Sequence, residues 1–286
     1  GIEYAIMQAI AECHGLLRDV GGLSAPDIAG TFERWNAGGR AAGFLFKITA
    51  EILRTGDPHG DGWLLDCISD VAGQKGTGAW TIEAALEHGV PVPSIMEAVC
   101  ARQVSGHTAH RKAVSGEAAA GSLPETPDTF IDDVERALVA TIMVALAQGL
   151  HLYGVAAAEH GWNSKLSDAL RVWRAGSILQ MPLLDEIAGQ LDADPDGKFM
   201  LDDPRIARDV TALLPTWQRC AASAVAGGFA APVLLASLAY FQALGTARLP
   251  TAMIQAQRDR FGAHGFARID RDGVHHGPWV RPDAET

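Results

Sequence analysis

Apolar residues recur three and four positions apart along almost the whole chain, which is the spacing expected of α-helices. The first such segment runs from Glu3 to Val20 and stops at a Gly-Gly pair, a common signal for a helix end. Ser24 then provides an N-cap, with Pro26 and Asp27 in the first turn of the next helix. Runs of alternating strands are missing from the pattern, so a parallel sheet is not expected. The pattern predicts an all-α fold.

The remaining predicted helices are separated by breaks that contain glycine or proline. They cover residues 44–53, 64–72, 80–88, 93–102 and beyond, a long helix from 128, and then 166–179, 183–191, 204–226 and 232–244. The sharpest break is Gly73–Gly78, which we call the glycine-rich segment.

The pattern changes at Pro250. A short helix is predicted over 251–261, and two short apolar runs then flank Arg271-Asp272-Gly273, which is typical of a small hairpin. We therefore predict a large helical domain over residues 1–249 and a C-terminal tail over 250–286, which could either fray or dock on a partner.

Two stretches, 138–158 and 220–247, carry no charged residue. A membrane-spanning helix needs about 20 strongly apolar residues. Both stretches are rich in alanine, and Gly227-Gly228 and Pro232 interrupt the second. Buried core helices are therefore predicted, with no membrane partner.

The 286 residues are 48% hydrophobic and 20% charged, which is an ordinary globular composition. A net charge of −11 argues against nucleic acid as a partner, because that needs clustered basic residues. The four cysteines are far apart, which favours reduced thiols and a cytoplasmic location. His107 and His110 lack an evident third ligand, so no metal is expected.

The glycine-rich segment, Gly-Gln-Lys-Gly-Thr-Gly, has chemistry that suits an anion. Its glycines allow close backbone approach, Lys75 supplies charge, Thr77 supplies a hydroxyl, and a helix predicted from Trp80 has free N–H groups at its start. It is neither a P-loop nor a dinucleotide fingerprint, because the spacing differs and the preceding residues are predicted as helix. A flexible linker with a solvated Lys75 fits the local pattern equally well.

Other candidate residues have a plain structural alternative. Glu3 and Tyr4 could form a general acid beside a substrate contact, although an exposed first turn is the more common interpretation. Arg102 could bind an anion or form a surface ion pair. Arg258 and His264 lie in a polar segment that could simply end a helix.

Taken together, five segments in a fixed order carry a family resemblance. They are Gly1-Ile-Glu-Tyr, Ala72-Gly-Gln-Lys-Gly-Thr-Gly-Ala-Trp-Thr, Glu97-Ala-Val-Cys-Ala-Arg, Trp173-Arg-Ala-Gly and Ile254-Gln-Ala-Gln-Arg-Asp-Arg-Phe-Gly-Ala-His. The series closely resembles the C-terminal part of the 6-phosphogluconate dehydrogenases, from Gly1 to about Trp279.

The resemblance implies an oxidoreductase of the pentose phosphate pathway. Members of that family oxidise 6-phosphogluconate with NADP, decarboxylate the 3-keto product and tautomerise the enediol to ribulose 5-phosphate. They have an N-terminal Rossmann domain, a helical domain, and a tail that enters the other subunit of a homodimer. The implied ligand is 6-phosphogluconate, the implied cofactor is NADP, and the implied partner is a second copy with a swapped tail.

The resemblance also implies residue roles, carried over by position. Glu3 matches the general acid that protonates the enediol. The matching substrate-binding positions are Tyr4, Lys75, Thr77 and Arg102 in the helical domain, with Arg258 and His264 donated by the tail to the partner's site. Charge-assisted donors of this kind are what a phosphate dianion needs.

Departures from the family pattern leave the proposed ligands in place. They are Ala79, Ala175, Gln180 and Gly265, where the family usually has other residues. The family's catalytic Lys and its substrate-binding His and Asn precede Gly-Ile-Glu-Tyr, and no dinucleotide fingerprint follows a strand here. This sequence alone is therefore expected to be inactive. The alternative is a non-catalytic helical dimerisation module of the same fold.

Overall fold

The computed structural model describes residues 1–115, 126–193, 197 and 199–280. The helices, in chain order, are α1 (Ile2–Gly15), α2 (Ala25–Asn36), α3 (Phe44–Leu53), α4 (Leu64–Cys67), α5 (Thr77–Glu87), α6 (Pro93–Gly106), α7 (Thr108–Ser115), α8 (Phe130–Glu159), α9 (Leu166–Gly176), α10 (Pro182–Leu191), α11 (Pro204–Ala226), α12 (Pro232–Leu244) and α13 (Ala252–Gly262). Two short strands, β1 (Phe266–Ala267) and β2 (Val274–His275), form the only sheet among the described residues. The all-α prediction is confirmed.

The chain divides into two compact units, residues 1–239 and 240–286. The predicted boundary between 249 and 250 lies further along the chain and stays a prediction. The last six residues of the predicted tail, 281–286, lie outside the described part of the chain.

The long helix α8 forms the centre of the first unit. Its residues from 137 to 148 are buried, and α1, α6 and α11 pack against it. Among the described residues, α8 is the one helix long and apolar enough to cross a membrane by length and composition. Since 67% of its most apolar window is buried inside the protein, packing in the core accounts for that apolarity.

A buried carboxyl links α1 to the start of α12. Glu12 accepts hydrogen bonds from the backbone N–H groups of Val233 (3.0 Å) and Leu234 (2.9 Å) and from the side chain of Gln8 (3.1 Å). These N–H groups belong to the first turn of α12, where no intrahelical acceptor exists for them. Burial raises the pKa of Glu12 to about 7, although its hydrogen bonds and the nearby Glu97 also act on it. Glu12 thereby fixes α1, which carries part of the candidate site.

Two further polar contacts join helices through the core. Ser94 of α6 exchanges hydrogen bonds with the Gln148 side chain of α8, and its hydroxyl lies 2.7 Å from that of Ser237 in α12. The buried carboxylate of Asp133 in α8 receives two hydrogen bonds from the Arg219 guanidinium of α11. Satisfied buried polar groups of this kind fix the relative positions of the helices that bear them.

Most helix predictions are confirmed, and two helix ends near the glycine-rich segment were wrong. The predicted helix 64–72 ends at Cys67, because Ile68 takes an extended conformation. The next helix begins at Thr77, three residues before Trp80, after Gly76 in a left-handed conformation (φ +93°) that favours glycine. The first helix also continues beyond α1 as a π-helix over Leu16–Val20.

The second unit contains the predicted hairpin. Strands β1 and β2 are antiparallel, with Phe266 opposite His275 and Ala267 opposite Val274. The hairpin prediction for this region is therefore confirmed.

Candidate anion-binding site

The first turn of α1 carries two of the predicted site residues. Tyr4 is buried at 8% exposure, whereas Glu3 is half-buried and borders a cavity of about 260 Å³. Thr81, Ile95 and Trp173 also line that cavity, together with Ser177. Adjacent helix positions point in different directions, so Glu3 faces this cavity while Tyr4 contacts the glycine-rich segment on another side.

The phenol of Tyr4 meets the start of α5. Its hydroxyl interacts with the Thr77 hydroxyl and with the backbone N–H groups of Lys75 and Gly78. The Thr77 hydrogen bond is the largest influence on the pKa of Tyr4, which is lowered, and the Arg102 charge acts in the same direction. Tyr4, Thr77 and the backbone of Lys75 therefore share one place on the surface of the first unit.

Close packing fixes this contact. A Cβ at Gly78 would lie only 2.8 Å from the Tyr4 ring and 2.7 Å from Val99. Glycine at this position therefore allows the start of α5 to lie directly against the Tyr4 ring.

The guanidinium of Arg102 lies over the other part of the site. Its central carbon is 3.7 Å from the centre of the Tyr4 ring, within the range of a cation–π interaction. One of its nitrogens donates to the Gly73 carbonyl at 3.3 Å, and the other lies 3.8 Å from the sulfur of Met7. The ring, the loop carbonyl and the thioether together fix the orientation of the Arg102 guanidinium.

The glycine-rich segment presents backbone and charge to solvent. Residues 73–75 and Thr77 are exposed, and the helix α5 that follows begins with N–H groups that have no intrahelical acceptor. The partial positive charge at a helix N-terminus adds to that of Lys75 and Arg102. An exposed cluster of donors with this charge suits a phosphate group.

Five of the seven predicted site residues thus belong to the first unit, and four of them converge: Tyr4, Lys75, Thr77 and Arg102. Glu3 adjoins them on the same helix turn. Sequence reasoning missed Met7 and the packing of Gly78 against Tyr4 and Val99, since these contacts join residues distant in the chain.

Arg258 and His264 belong to the second unit, and both are exposed. Arg258 donates to the side chain of Gln255 at 3.1 Å, and the ring of His264 lies edge-on to that of Phe261. Both residues flank the end of α13, where Ala263 adopts a left-handed conformation (φ +49°).

A residue that the sequence did not single out organises this unit. The buried carboxylate of Asp259 accepts from the backbone N–H groups of Gly265 (3.0 Å) and Gly277 (2.9 Å), the His276 ring (2.6 Å) and the Trp279 indole (2.8 Å). Burial raises its pKa, but the four donors outweigh burial and hold the pKa at about 2. Asp259 therefore ties the end of α13 to β2 and the residues that follow it.

Comparison with known proteins shows which family this chain is similar to. The family model described as "6-phosphogluconate dehydrogenase, C-terminal domain" matches residues 1–279. A chloroplastic decarboxylating 6-phosphogluconate dehydrogenase of Arabidopsis thaliana is 37% identical over 290 residues, which covers 98% of this chain and 59% of the relative. The enzyme of Synechococcus elongatus is 39% identical over 284 residues, covering 98% and 60%.

A solved structure is also similar. The 6-phosphogluconate dehydrogenase of Plasmodium falciparum, described in its apo form, with its cofactor NADP+ and with its substrate 6-phosphogluconate, superposes with a TM-score of 0.93. The identity is 32%, over 98% of this chain and 60% of that one. The chain described here spans about 60% of the length of the relatives it matches.

The structure defines a large helical domain in which Arg102 and the glycine-rich segment meet the Tyr4 ring of the first helix. The chain belongs to the 6-phosphogluconate dehydrogenase family, in the part described as its C-terminal domain.

A dinucleotide site needs a glycine-rich turn between a β-strand and a helix. The glycine-rich segment follows α4 and an extended stretch, and the only strands among residues 1–115, 126–193, 197 and 199–280 are those of the small hairpin. The described residues therefore do not form a dinucleotide site of this kind.

Proposed function

We propose that this chain is the substrate-binding helical part of an enzyme that oxidatively decarboxylates 6-phosphogluconate to ribulose 5-phosphate with NADP. The observation that supports this proposal most strongly is the position of the Arg102 guanidinium over the Tyr4 ring, beside the Thr77 hydroxyl and the glycine-rich segment. Family membership supports the substrate, because the Plasmodium falciparum relative was solved with 6-phosphogluconate.

The proposed role of this cluster is to bind the phosphate end of the substrate. Arg102 offers planar paired donors, Lys75 a mobile ammonium, and Thr77 and Tyr4 hydroxyl groups. The protein as a whole carries a net charge of −11, so a local positive cluster concentrates attraction for an anion at this place.

Glu3 is the proposed general acid. It lies one residue from Tyr4 and borders the 260 Å³ cavity. In this proposal the cavity takes the sugar chain of the phosphate-bound substrate. In the last step its carboxyl delivers a proton to the carbon that lost CO2, while the enediol hydroxyl that becomes the ketone gives its proton to solvent water.

The phosphate site is tested by titrating the chain with 6-phosphogluconate, and separately with inorganic phosphate, in a calorimeter. Lys75→Ala and Arg102→Ala should each weaken binding by about 10- to 100-fold, the range expected for a charge-assisted hydrogen bond. Lys47→Ala is the matched control, because Lys47 is exposed and pairs only loosely with Glu51 at 3.8 Å.

Unchanged affinity in both site variants would show that the pocket assignment is wrong. If the wild-type chain binds no sugar phosphate but associates with itself, the non-catalytic dimerisation module becomes the better proposal.

The tail is proposed to complete the site of a partner subunit in a homodimer. Arg258 and His264 are exposed, and apolar side chains nearby are exposed as well, including Phe261 at 76% and Ile269 at 88%. Large exposed apolar side chains favour association.

The swap is tested by mixing two variants that each lack one half of the site. Arg102→Ala and Arg258→Ala should both bind 6-phosphogluconate poorly alone. After exchange of subunits, about a quarter of the sites should recover, because each mixed dimer contains one site with both arginines. Absence of recovery in a confirmed mixed dimer would show that the tail acts within its own subunit.

A cytoplasmic location is proposed from the four widely spaced, unpaired cysteines, two of which are buried. Relatives include chloroplastic proteins of Arabidopsis thaliana, so cell fractionation is the measurement that decides this point.

A further inference from the structure

The stretch that leads into the glycine-rich segment has little packing of its own. Residues 68–75 are all exposed, and Ile68 is 56% and Val71 46% exposed. The stretch is irregular, with bends at Ile68 and Asp70, instead of helical. Its position therefore depends on a few polar contacts, which lie on α6 and α7.

The first of these contacts is made by Ser105 of α6. Its hydroxyl accepts a hydrogen bond from the Ala72 backbone N–H at 2.9 Å and donates one to the Arg102 carbonyl at 2.6 Å. One hydroxyl group thus joins the backbone just before the glycine-rich segment to the backbone of the residue that carries the central cation.

The second contact is made by Arg111 of α7. One nitrogen of its guanidinium donates to the Ser105 carbonyl at 3.0 Å, and another pairs with the Asp70 carboxylate. The hydrogen bond from Arg111 lowers the pKa of Asp70. Arg111 therefore connects Asp70, near the start of this stretch, with the helix turn that contains Ser105.

The third contact is the hydrogen bond from Arg102 itself to the Gly73 carbonyl. Asp70, Ala72 and Gly73 are therefore held, in order, by Arg111, Ser105 and Arg102. These contacts end immediately before Lys75 and Thr77.

We propose that Ser105 and Arg111 are positioning residues for the phosphate site: they hold residues 70–73 against α6 so that Lys75 and Thr77 lie beside Arg102. The inference rests on the proposed function and assigns neither residue a contact with the substrate. A loop already held in its binding conformation loses less conformational freedom when the anion binds, which raises affinity.

The test measures the loop and the ligand separately on the full chain. The variants are Ser105→Ala and Arg111→Gln, with Ser105→Thr as a rescue that keeps the hydroxyl. Ser115→Ala is the matched control, because its hydroxyl also bonds a carbonyl three residues earlier (Lys112, 3.2 Å) but does so on the exposed end of α7.

The first readout is the rate of trypsin cleavage after Lys75, together with hydrogen exchange of the Ala72 amide. The second is calorimetric affinity for 6-phosphogluconate. We expect Ser105→Ala and Arg111→Gln to speed cleavage and exchange and to weaken affinity by about 2- to 10-fold, the worth of one hydrogen bond. Ser105→Thr and Ser115→Ala should match the wild type in both.

Two outcomes would overturn the inference alone. One is faster cleavage with unchanged affinity, and the other is unchanged cleavage, in either case with Lys75→Ala still weakening binding. If Lys75→Ala and Arg102→Ala also leave affinity unchanged, the phosphate site itself is wrong and the positioning role fails with it. Since Arg111 is on the surface, its variant gives a result even if Ser105→Ala does not fold.

Discussion

The Arg102 guanidinium carbon lies 3.7 Å above the centre of the Tyr4 ring, so the cation of the candidate site rests on an aromatic face. Tyr4 is buried and comes from the first turn of α1, whereas Arg102 comes from the last part of α6. The packing distance between α1 and α6 therefore sets the position of the Arg102 guanidinium, and with it the place where an anion would bind.

This stacking predicts different results for two Tyr4 variants. Tyr4→Phe keeps the ring under Arg102 and removes only the hydroxyl, whereas Tyr4→Leu removes both. Because a cation–π contact at a partly buried site contributes about 1–2 kcal/mol, Tyr4→Leu should bind 6-phosphogluconate about 5- to 30-fold more weakly than Tyr4→Phe. Equal affinities in calorimetry would show that the ring does not orient Arg102.

Gly78→Ala is expected to destabilise the fold. Helix propensity alone favours alanine by about 1 kcal/mol, but the added Cβ would press on Tyr4 and Val99, and overpacking costs about 1–3 kcal/mol. We expect a net loss of up to about 2 kcal/mol in the free energy of unfolding measured with urea. Gly73→Ala is the control, since a Cβ there meets no atom within 4 Å. A Gly78→Ala protein as stable as that control would contradict the close contact.

Glu12 gives the protein a pH-dependent stability. Its pKa is about 7 in the folded chain against 4.5 for the ordinary group, so between these values the folded state binds more protons than the unfolded state. The contribution of Glu12 to the free energy of unfolding should therefore fall as pH rises from about 4.5 to 7, by up to about 3 kcal/mol. Urea unfolding at pH 5 and pH 8 measures this change.

The same experiment on two glutamine variants assigns the effect. Glu12→Gln should flatten the dependence on pH, because the amide does not titrate. Glu87→Gln, at an exposed position, should leave the dependence as it is in the wild type. An unaltered slope in Glu12→Gln would mean that another group is responsible.

Asp259→Asn should loosen the second unit. Its carboxylate accepts four hydrogen bonds, and an amide would turn an N–H group toward at least one of the donors. We expect faster hydrogen exchange at the Gly277 amide and a shifted indole signal for Trp279. Asp272→Asn, on the exposed turn of the hairpin, should change neither signal.

The low pKa of Asp259 also predicts the pH at which this unit loses stability in acid. Because its pKa is about 2 in the folded chain and 3.8 ordinarily, its stabilising effect is present above about pH 4 and is lost as pH falls through 2. Exchange at the Gly277 amide should accelerate over that range in the wild type. If the protection factor of the Gly277 amide in the wild type stays constant down to pH 2, the assignment is contradicted.

The helices near the site show where sequence reasoning succeeded and where it failed. Phe44–Leu53 and Pro204–Ala226 were predicted to the residue, because their apolar spacing and their capping or proline signals agree. Residues 68–72 have helical spacing too, yet their backbone is irregular. Their backbone bonds instead to Ser105, a residue 33 positions later in the chain, and such a contact leaves no local signal.

By itself, the sequence determined the helical fold class, the family and the identity of the candidate phosphate-binding residues. Apolar spacing, caps and short motifs are local properties, so they can be recognised from residues that are neighbours in the sequence. Only the tertiary structure decided that Arg102 rests on Tyr4, that Ser105 and Arg111 hold the approach to Lys75, and that Asp259 gathers four donors in the second unit. These relationships join residues that are far apart in the chain, and their energies depend on distance, burial and direction, which arise only when the helices pack.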